Sequence, residues 1–195
     1  MEYRLFEEGT IPEWTRPEWY SGRERAPHLE QEMHQGRLNL SARFVRQALN
    51  DFELTSVVDL GAGDGGLLQL LASAAPRMWG YDLQQSNVEP AQNERGVDVR
   101  YGDVVTGDIE WGDVAIATEM LEHLLEPHQF VQRIAEHSKV LVASSPWNES
   151  PGSAYGFHTY AWDQDGYAAL LRGAGFEIQH HQTTGMFQVI MGVKS

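Results

Sequence analysis

The stretch Val57-Val58-Asp59-Leu60-Gly61-Ala62-Gly63-Asp64-Gly65-Gly66, followed by Leu67-Leu68-Gln69-Leu70-Leu71, constrains this chain more than any other segment. An apolar, β-branched run that stops at closely spaced glycines and restarts as a leucine-rich segment reads as a buried strand turning tightly into a helix. Glycines there let the backbone come close to a ligand, and the helix N-terminus offers it free N–H groups. Gly61, Gly63 and Gly66 match the literal spacing of a dinucleotide-binding fingerprint, a weak signal by itself. Asp82 sharpens it, because it closes the next apolar run 21 residues after Gly61, where a carboxylate can accept hydrogen bonds from ribose hydroxyls. A ribose-bearing cofactor is expected.

The remainder of the chain alternates in the same style. Apolar runs at 56–60, 78–83, 97–101, 113–118 and 140–144 are separated by helix-like stretches at 67–74, 86–93 and 127–137. Strands alternating with helices predict an α/β chain, a parallel sheet with helices on both faces and right-handed crossovers. A helical run at 166–172 then stops at Gly173 and Gly175, and two apolar runs around Thr183-Thr184-Gly185 predict a closing antiparallel hairpin. Before the glycines, apolar residues at helical spacing (Leu38, Ala42, Val45, Ala48, Leu49) predict a helix within 28–52, with Ser41 available as a cap. Residues 1–30 hold Pro12, Pro17 and Pro27 among Trp14, Trp19 and Tyr20, which suggests an ordered, partly helical arm. The expected organisation is an aromatic, Arg-containing arm and helix over residues 1–40, covering the site, and one cofactor-binding domain over 41–195.

Bulk properties narrow the function. At 195 residues the chain has room for one ordinary domain, and with about 55 residues placed before the glycines there is no room for a nicotinamide enzyme's substrate domain. The net charge is −14, and half of the 14 basic residues lie among the first 50, so the acidity belongs to the main domain. Such a surface disfavours bulk nucleic-acid binding, which draws its affinity from Lys and Arg displacing counterions. The absence of cysteine excludes disulfides and thiolate chemistry. No apolar run is long enough to cross a bilayer and no secretory signal is recognisable, so no membrane association and a cytoplasmic location are expected.

Two further acids point to a particular cofactor. Asp59, inside the strand before the glycines, can hold an ammonium group, and Asp103, after the third strand, can accept a bond from an adenine amino group. At this point the sequence resembles the class I S-adenosylmethionine-dependent methyltransferases over roughly residues 40–195. The resemblance rests on 59–65, Asp82, Asp103, Thr118-Glu119-Met120-Leu121-Glu122-His123-Leu124 and Gly175-Phe176-Glu177-Ile178. It implies a three-layer α/β/α, Rossmann-like fold, with a mostly parallel seven-stranded sheet whose last strand is antiparallel. It also implies S-adenosyl-L-methionine as cofactor, with Asp59, Gly61, Ala62 and Gly63 at the methionine moiety, Asp82 and Leu83 at the ribose, Asp103 and Val104 near the adenine, and Thr118 beside them.

Glu119, Glu122 and His123 stand at i, i+3 and i+4, so a helix starting near Thr118 would put them on one face at the carboxyl edge of the sheet, where ligands sit. Three readings compete. The acids can merely offset a helix dipole while His123 packs locally. They can wall the methyl-acceptor pocket, with His123 as general base. Or Glu119, Glu122, His123 and His158 can hold a divalent metal. The Glu-x-x-Glu-His spacing is similar to that of small-RNA 3′-end 2′-O-methyltransferases and equally to that of ubiquinone-pathway O-methyltransferases. The general-base reading leads, with no metal required. The long aromatic connection at 144–162 adds Trp147 and His158 to the acceptor side, and Trp14, Trp19 and Tyr20 can cover the same edge or simply pin the arm to the core. The function expected is methyl transfer to an oxygen or nitrogen of a small molecule. A metal-dependent RNA 3′-end 2′-O-methyltransferase and a non-catalytic cofactor-binding partner subunit are the rivals.

Overall fold

The structure is a computed structural model and describes residues 1–194. In chain order its elements are β1 (Glu2–Arg4), α1 (Pro17–Tyr20), α2 (Glu32–Asp51), β2 (Ser56–Leu60), α3 (Gly66–Leu70), β3 (Arg77–Asp82), α4 (Gln85–Asn93), β4 (Val99–Tyr101), β5 (Val114–Thr118), α5 (Pro127–His137), β6 (Val140–Pro146), β7 (Tyr160–Trp162), α6 (Gln164–Gly173), β8 (Phe176–Thr184) and β9 (Phe187–Lys194). A seven-stranded sheet runs β4-β3-β2-β5-β6-β9-β8. The pairs from β4 to β6 are all parallel, and β9 runs antiparallel to both β6 and β8. The α/β architecture with an antiparallel last strand is therefore present, and that strand lies inside the sheet rather than at its edge.

Alternation along the central strands sorts side chains into two cores. Val57, Val114, Ile116, Val140 and Val142 face α2 and α3, meeting Leu38, Ala42, Phe44, Val45, Ala48 and Leu49. The smaller Ala115, Ala117 and Ala143 face the other way, leaving depth for Phe130, Val131 and Ile134 of α5 and Tyr167, Leu170 and Leu171 of α6. Val58, Leu60, Leu141 and Ile190 join these alanines on that face, so its sheet surface is mixed in size. Among the described residues, no helix is long and apolar enough to cross a membrane.

Several local expectations are corrected. Ser41 caps nothing: α2 starts at Glu32, and Ser41 sits in mid-helix, fully buried, with its hydroxyl unpartnered. The boundary drawn at residue 40 falls inside this one continuous helix. The helix expected over 67–74 stops at Leu70, because Ser73 adopts a positive φ of 65° and Pro76 precedes β3. The connection expected to begin at 144 begins after Pro146, since β6 pairs with β9 as far as Pro146 opposite Phe187. The arm also contributes a strand with no local signal: β1 pairs antiparallel with β7, Tyr3 opposite Ala161.

Gly80 of β3 lies under the glycine turn, where an added Cβ would stand 2.6 Å from the Ala62 Cβ and 3.1 Å from the Asp59 carbonyl oxygen. Replacement Gly80→Ala is expected to destabilise the protein by about 1–3 kcal/mol through overpacking, read as a lower urea midpoint with unchanged slope.

Candidate active site

The strand-to-helix turn is built by backbone that only glycine adopts freely. Gly61, Gly63 and Gly65 have φ of 78°, 56° and 77°. The amides of Gly61 and Ala62 both donate to the Tyr81 carbonyl, and the Gly63 amide donates to the Asp82 carboxylate at 2.8 Å. Asp82 also accepts from the Gln84 amide at 2.8 Å and the Asn87 side-chain amide at 3.2 Å. Burial pushes the Asp82 carboxyl upward in pKa, with these three donors opposing it. A carboxylate has about four lone-pair positions, so capacity remains for a ligand hydroxyl.

Asp59 is buried with one carboxylate oxygen unpartnered. Burial, then the neighbouring Asp82 charge, raises its pKa to about 7, with Arg37 opposing. Asp64 in the same turn is used internally: it accepts from Arg25 at 2.9 Å and from Arg95 at 2.6 Å, tying the arm to the turn. Asp103 bends its own loop, accepting from the Val105 amide at 2.8 Å and the Thr106 hydroxyl at 2.5 Å. Asp59, Gly61, Ala62, Gly63, Asp82, Leu83, Asp103, Val104 and Thr118 all line one cavity of about 850 Å³, within the range of small-molecule sites.

At the far side of that cavity the expected helix at Thr118 is absent. Glu119 takes a left-handed φ of 53°, and a short 3₁₀ turn covers Leu121–His123. The bend separates the acids. The Glu119 carboxylate accepts from the Ser144 hydroxyl at 2.8 Å, whereas both carboxylate oxygens of Glu122 are buried without a partner. Glu122, His123 and His158 converge, each offering a donor atom within 4.8 Å of the others. Among the described residues Glu119 is not in that group. The His123 Nδ1 lies 3.0 Å from the Phe157 carbonyl oxygen, and the His158 Nδ1 lies 2.5 Å from the Glu149 carboxylate. Bonds from Nδ1–H to those oxygens leave each Nε2 as the free lone pair. Burial, then His158 and, last, Arg23, lowers His123 to about 4. Burial, then Glu119, pushes Glu122 well above the ordinary carboxylate range, and burial raises Glu119 as well.

Trp19, Tyr20 and His158 line the cavity. Trp14 and Trp147 do not. Trp14 packs edge-on against Phe157 at 6.1 Å, supporting the loop from behind, and Trp147 donates its indole N–H to the Gly185 carbonyl at 3.0 Å on the hairpin. Sequence reasoning missed Arg37, which lines the cavity at 1% exposure with its Nε unpartnered and no carboxylate in ion-pair reach. Among the described residues, its side-chain neighbours at bonding distance are the Nδ1 atoms of His28 and His34, each 3.4 Å away. Burial lowers those imidazoles to about 3 and about 4. The signal was present: Arg37 shares the buried stripe of α2 with Ser41, Phe44 and Ala48, where a lone charge is out of place.

A seven-stranded sheet of this order, a glycine turn held by a buried carboxylate, and a cavity beyond it define a Rossmann-like fold with a candidate site at the carboxyl edge of its strands. The signature of a family described as a methyltransferase domain matches residues 28–181. The chain belongs to that family and has the class I fold of S-adenosylmethionine-dependent methyltransferases. It is 29% identical over 109 residues to a ubiquinone biosynthesis O-methyltransferase of Rickettsia conorii, covering 53% of this chain and 37% of that one. It is 30% identical over 142 residues to a probable S-adenosylmethionine-dependent methyltransferase of Mycolicibacterium smegmatis, covering 67% and 54%. The chain thus spans about a third to a half of the length of these relatives. The magnesium protoporphyrin IX methyltransferase of Synechocystis, solved with bound S-adenosylhomocysteine, superposes with a TM-score of 0.68 at 19% identity, covering 89% and 90%.

Two outcomes are expected here. Asp59 must ionise to attract an ammonium group, so affinity for S-adenosylmethionine rises as pH rises through about 7, and Asp59→Asn binds more weakly with a flat profile; calorimetric titrations at pH 6 and 8 check it. Glu122→Gln removes a buried, unpartnered, ionisable group, so the ligand-free variant is expected to melt about 2–4 °C higher at pH 8 than the parent for each 1 kcal/mol relieved. The sign follows from the raised folded pKa: the parent's penalty grows as pH rises above the unfolded value, and the variant lacks it.

Proposed function

We propose that this chain transfers the methyl group of S-adenosyl-L-methionine to a hydroxyl oxygen of a small-molecule acceptor. The observation that carries the reading is the His123 Nε2: its ring is fixed through Nδ1 by the Phe157 carbonyl, and its free lone pair shares the cavity with the glycine turn. The residues present fit the cofactor. Two of them, Arg37 and Asp59, are buried, oppositely charged and incompletely partnered, as the carboxylate and ammonium of a methionine moiety require, and Asp82, whose carboxylate holds the Gly63 amide, would take the ribose hydroxyls. When bound, the cofactor supplies a methyl group on a positively charged sulfur that departs with the bonding electron pair as a neutral thioether.

The protein's own work is alignment and proton handling. Orientation of acceptor oxygen, methyl and sulfur in line can account for on the order of 7–11 kcal/mol of the barrier. As the carbon–oxygen bond forms, the acceptor oxygen becomes positively charged and its proton far more acidic, so even an imidazole lowered to about 4 takes it at Nε2. A carboxyl oxygen of Glu122 beside it can accept a hydrogen bond from the imidazolium, and His123 returns the proton to water after product leaves.

One arrangement favours a second reading. Both histidines have Nδ1 engaged with oxygen acceptors, and Glu122 has two orphaned oxygens at the same point, so the donor set fits a divalent cation. Bound between Glu122, His123 and His158, such an ion would lower the pKa of the acceptor hydroxyl. An RNA 3′ end, the acceptor of the metal-using enzymes that the motif resembles, fits poorly with a chain of net charge −14.

Against a panel of phenols and catechols with isotopically labelled cofactor, a methylated product is expected for the parent, and His123→Ala should lose roughly 10²- to 10⁴-fold in kcat while cofactor affinity is unchanged. Exhaustive chelation separates the readings: retained turnover leaves His123 as sole base, and turnover lost and then restored by one added divalent metal assigns the cation.

A further inference from the structure

Arg23 of the arm is a cation that the proposed reaction does not use. It lines the cavity, with its guanidinium carbon 4.1 Å from the Trp19 ring centroid and 5.5 Å from that of Phe157. Among the described residues it has no acid partner, although neighbouring arginines do: Arg25 binds Asp64 and Glu94, and Arg95 binds Asp64 and Glu30. Its backbone is fixed, because the Ser86 hydroxyl donates to the Arg23 carbonyl at 2.8 Å. Phe157, whose face it approaches, is the residue whose carbonyl holds His123. Arg23 and His123 therefore line the same cavity and both contact Phe157, one at its ring and the other at its carbonyl.

We propose that Arg23 binds an anionic group of the acceptor, so that the acceptor is a planar molecule carrying a carboxylate away from the hydroxyl that is methylated. This rests on the hydroxyl-transfer reading above. Three features support it. Among the described residues, Arg37 is the other arginine lining the cavity without an ion pair and is assigned to the methionine carboxylate, which leaves Arg23, beside the Phe157 that holds His123, for the acceptor side. Trp19, Tyr155 and Phe157 supply ring faces and edges, with Tyr155 5.2 Å from Phe157, suited to a flat body rather than a flexible chain. A guanidinium already stacked on aromatic rings keeps its N–H edge free for two-point contact with a carboxylate and gives up little side-chain freedom on binding.

The test uses 3,4-dihydroxybenzoate and catechol, which differ by the carboxylate alone, titrated calorimetrically into the protein saturated with S-adenosylhomocysteine. The parent is expected to bind the acid at least about 10-fold more tightly than catechol, Arg23→Gln to bring the acid's affinity down to that of catechol, and Arg23→Lys to restore part of the preference. The proposal is overturned if the parent shows no preference for the acid or binds neither compound. It is equally overturned if Arg23→Gln weakens both by the same factor, which would make Arg23 only a clamp on Trp19 and Phe157. A short 3′-hydroxyl RNA that binds through Arg23 when the acid does not would overturn it as well. Turnover of the same compounds reads the hydroxyl-transfer proposal separately: an acid held by Arg23 with neither diol methylated keeps the anion site and removes that reading.

Discussion

The bond from the Gly63 amide to the Asp82 carboxylate is the joint on which the rest of the site depends. It ties the first strand-to-helix turn to the carboxyl end of the neighbouring strand, and the same carboxylate reaches the start of α4 through Gln84 and Asn87. Asn87 in turn accepts from the Ala26 amide at 3.2 Å, and Gln84 donates to the Glu24 carbonyl at 3.3 Å, so the arm is laid over the cavity by residues next to that carboxylate. A single buried acid thus positions the glycine turn, a helix N-terminus and the cover. Its cost is burial in a chain already strongly acidic, and three donors offset that cost.

The electrostatics of the cavity are incomplete without a ligand. Asp59, Glu119 and Glu122 are withdrawn from water, and Arg37 is held among two neutral imidazoles rather than against any of them. Buried charges without partners are destabilising, and native chains retain them where a ligand completes the pairing. A zwitterionic methionine moiety would complete Asp59 and Arg37 together. At the acceptor end, Glu122 with His123 and His158 leaves the same kind of gap for a hydroxyl proton or a cation.

The main sheet and the cofactor side were legible because they rest on local patterns. Short β-branched runs, leucine-rich helices and glycines that need positive φ place 56–66 and Asp82 without reference to anything distant. What was not legible depends on contacts across the chain. β1 forms only because Tyr160–Trp162 offers it an edge, and Glu119, Glu122 and His123 share no helical face because Ser144 of the adjacent strand draws Glu119 through a left-handed bend. Trp147 carried the right chemistry and faces the hairpin instead. Arg37 was written plainly in the α2 stripe, yet a charge at a core position becomes a candidate ligand group only once its lack of a carboxylate partner among the described residues is seen.

The most direct measurement of the account is the dissociation constant of S-adenosylhomocysteine for the parent and for Asp82→Ala, with circular dichroism confirming that the variant is folded. The account requires saturable binding by the parent, weakened at least about 10-fold when the carboxylate is removed. Equal affinity in both proteins, or no binding by the folded parent, would contradict it.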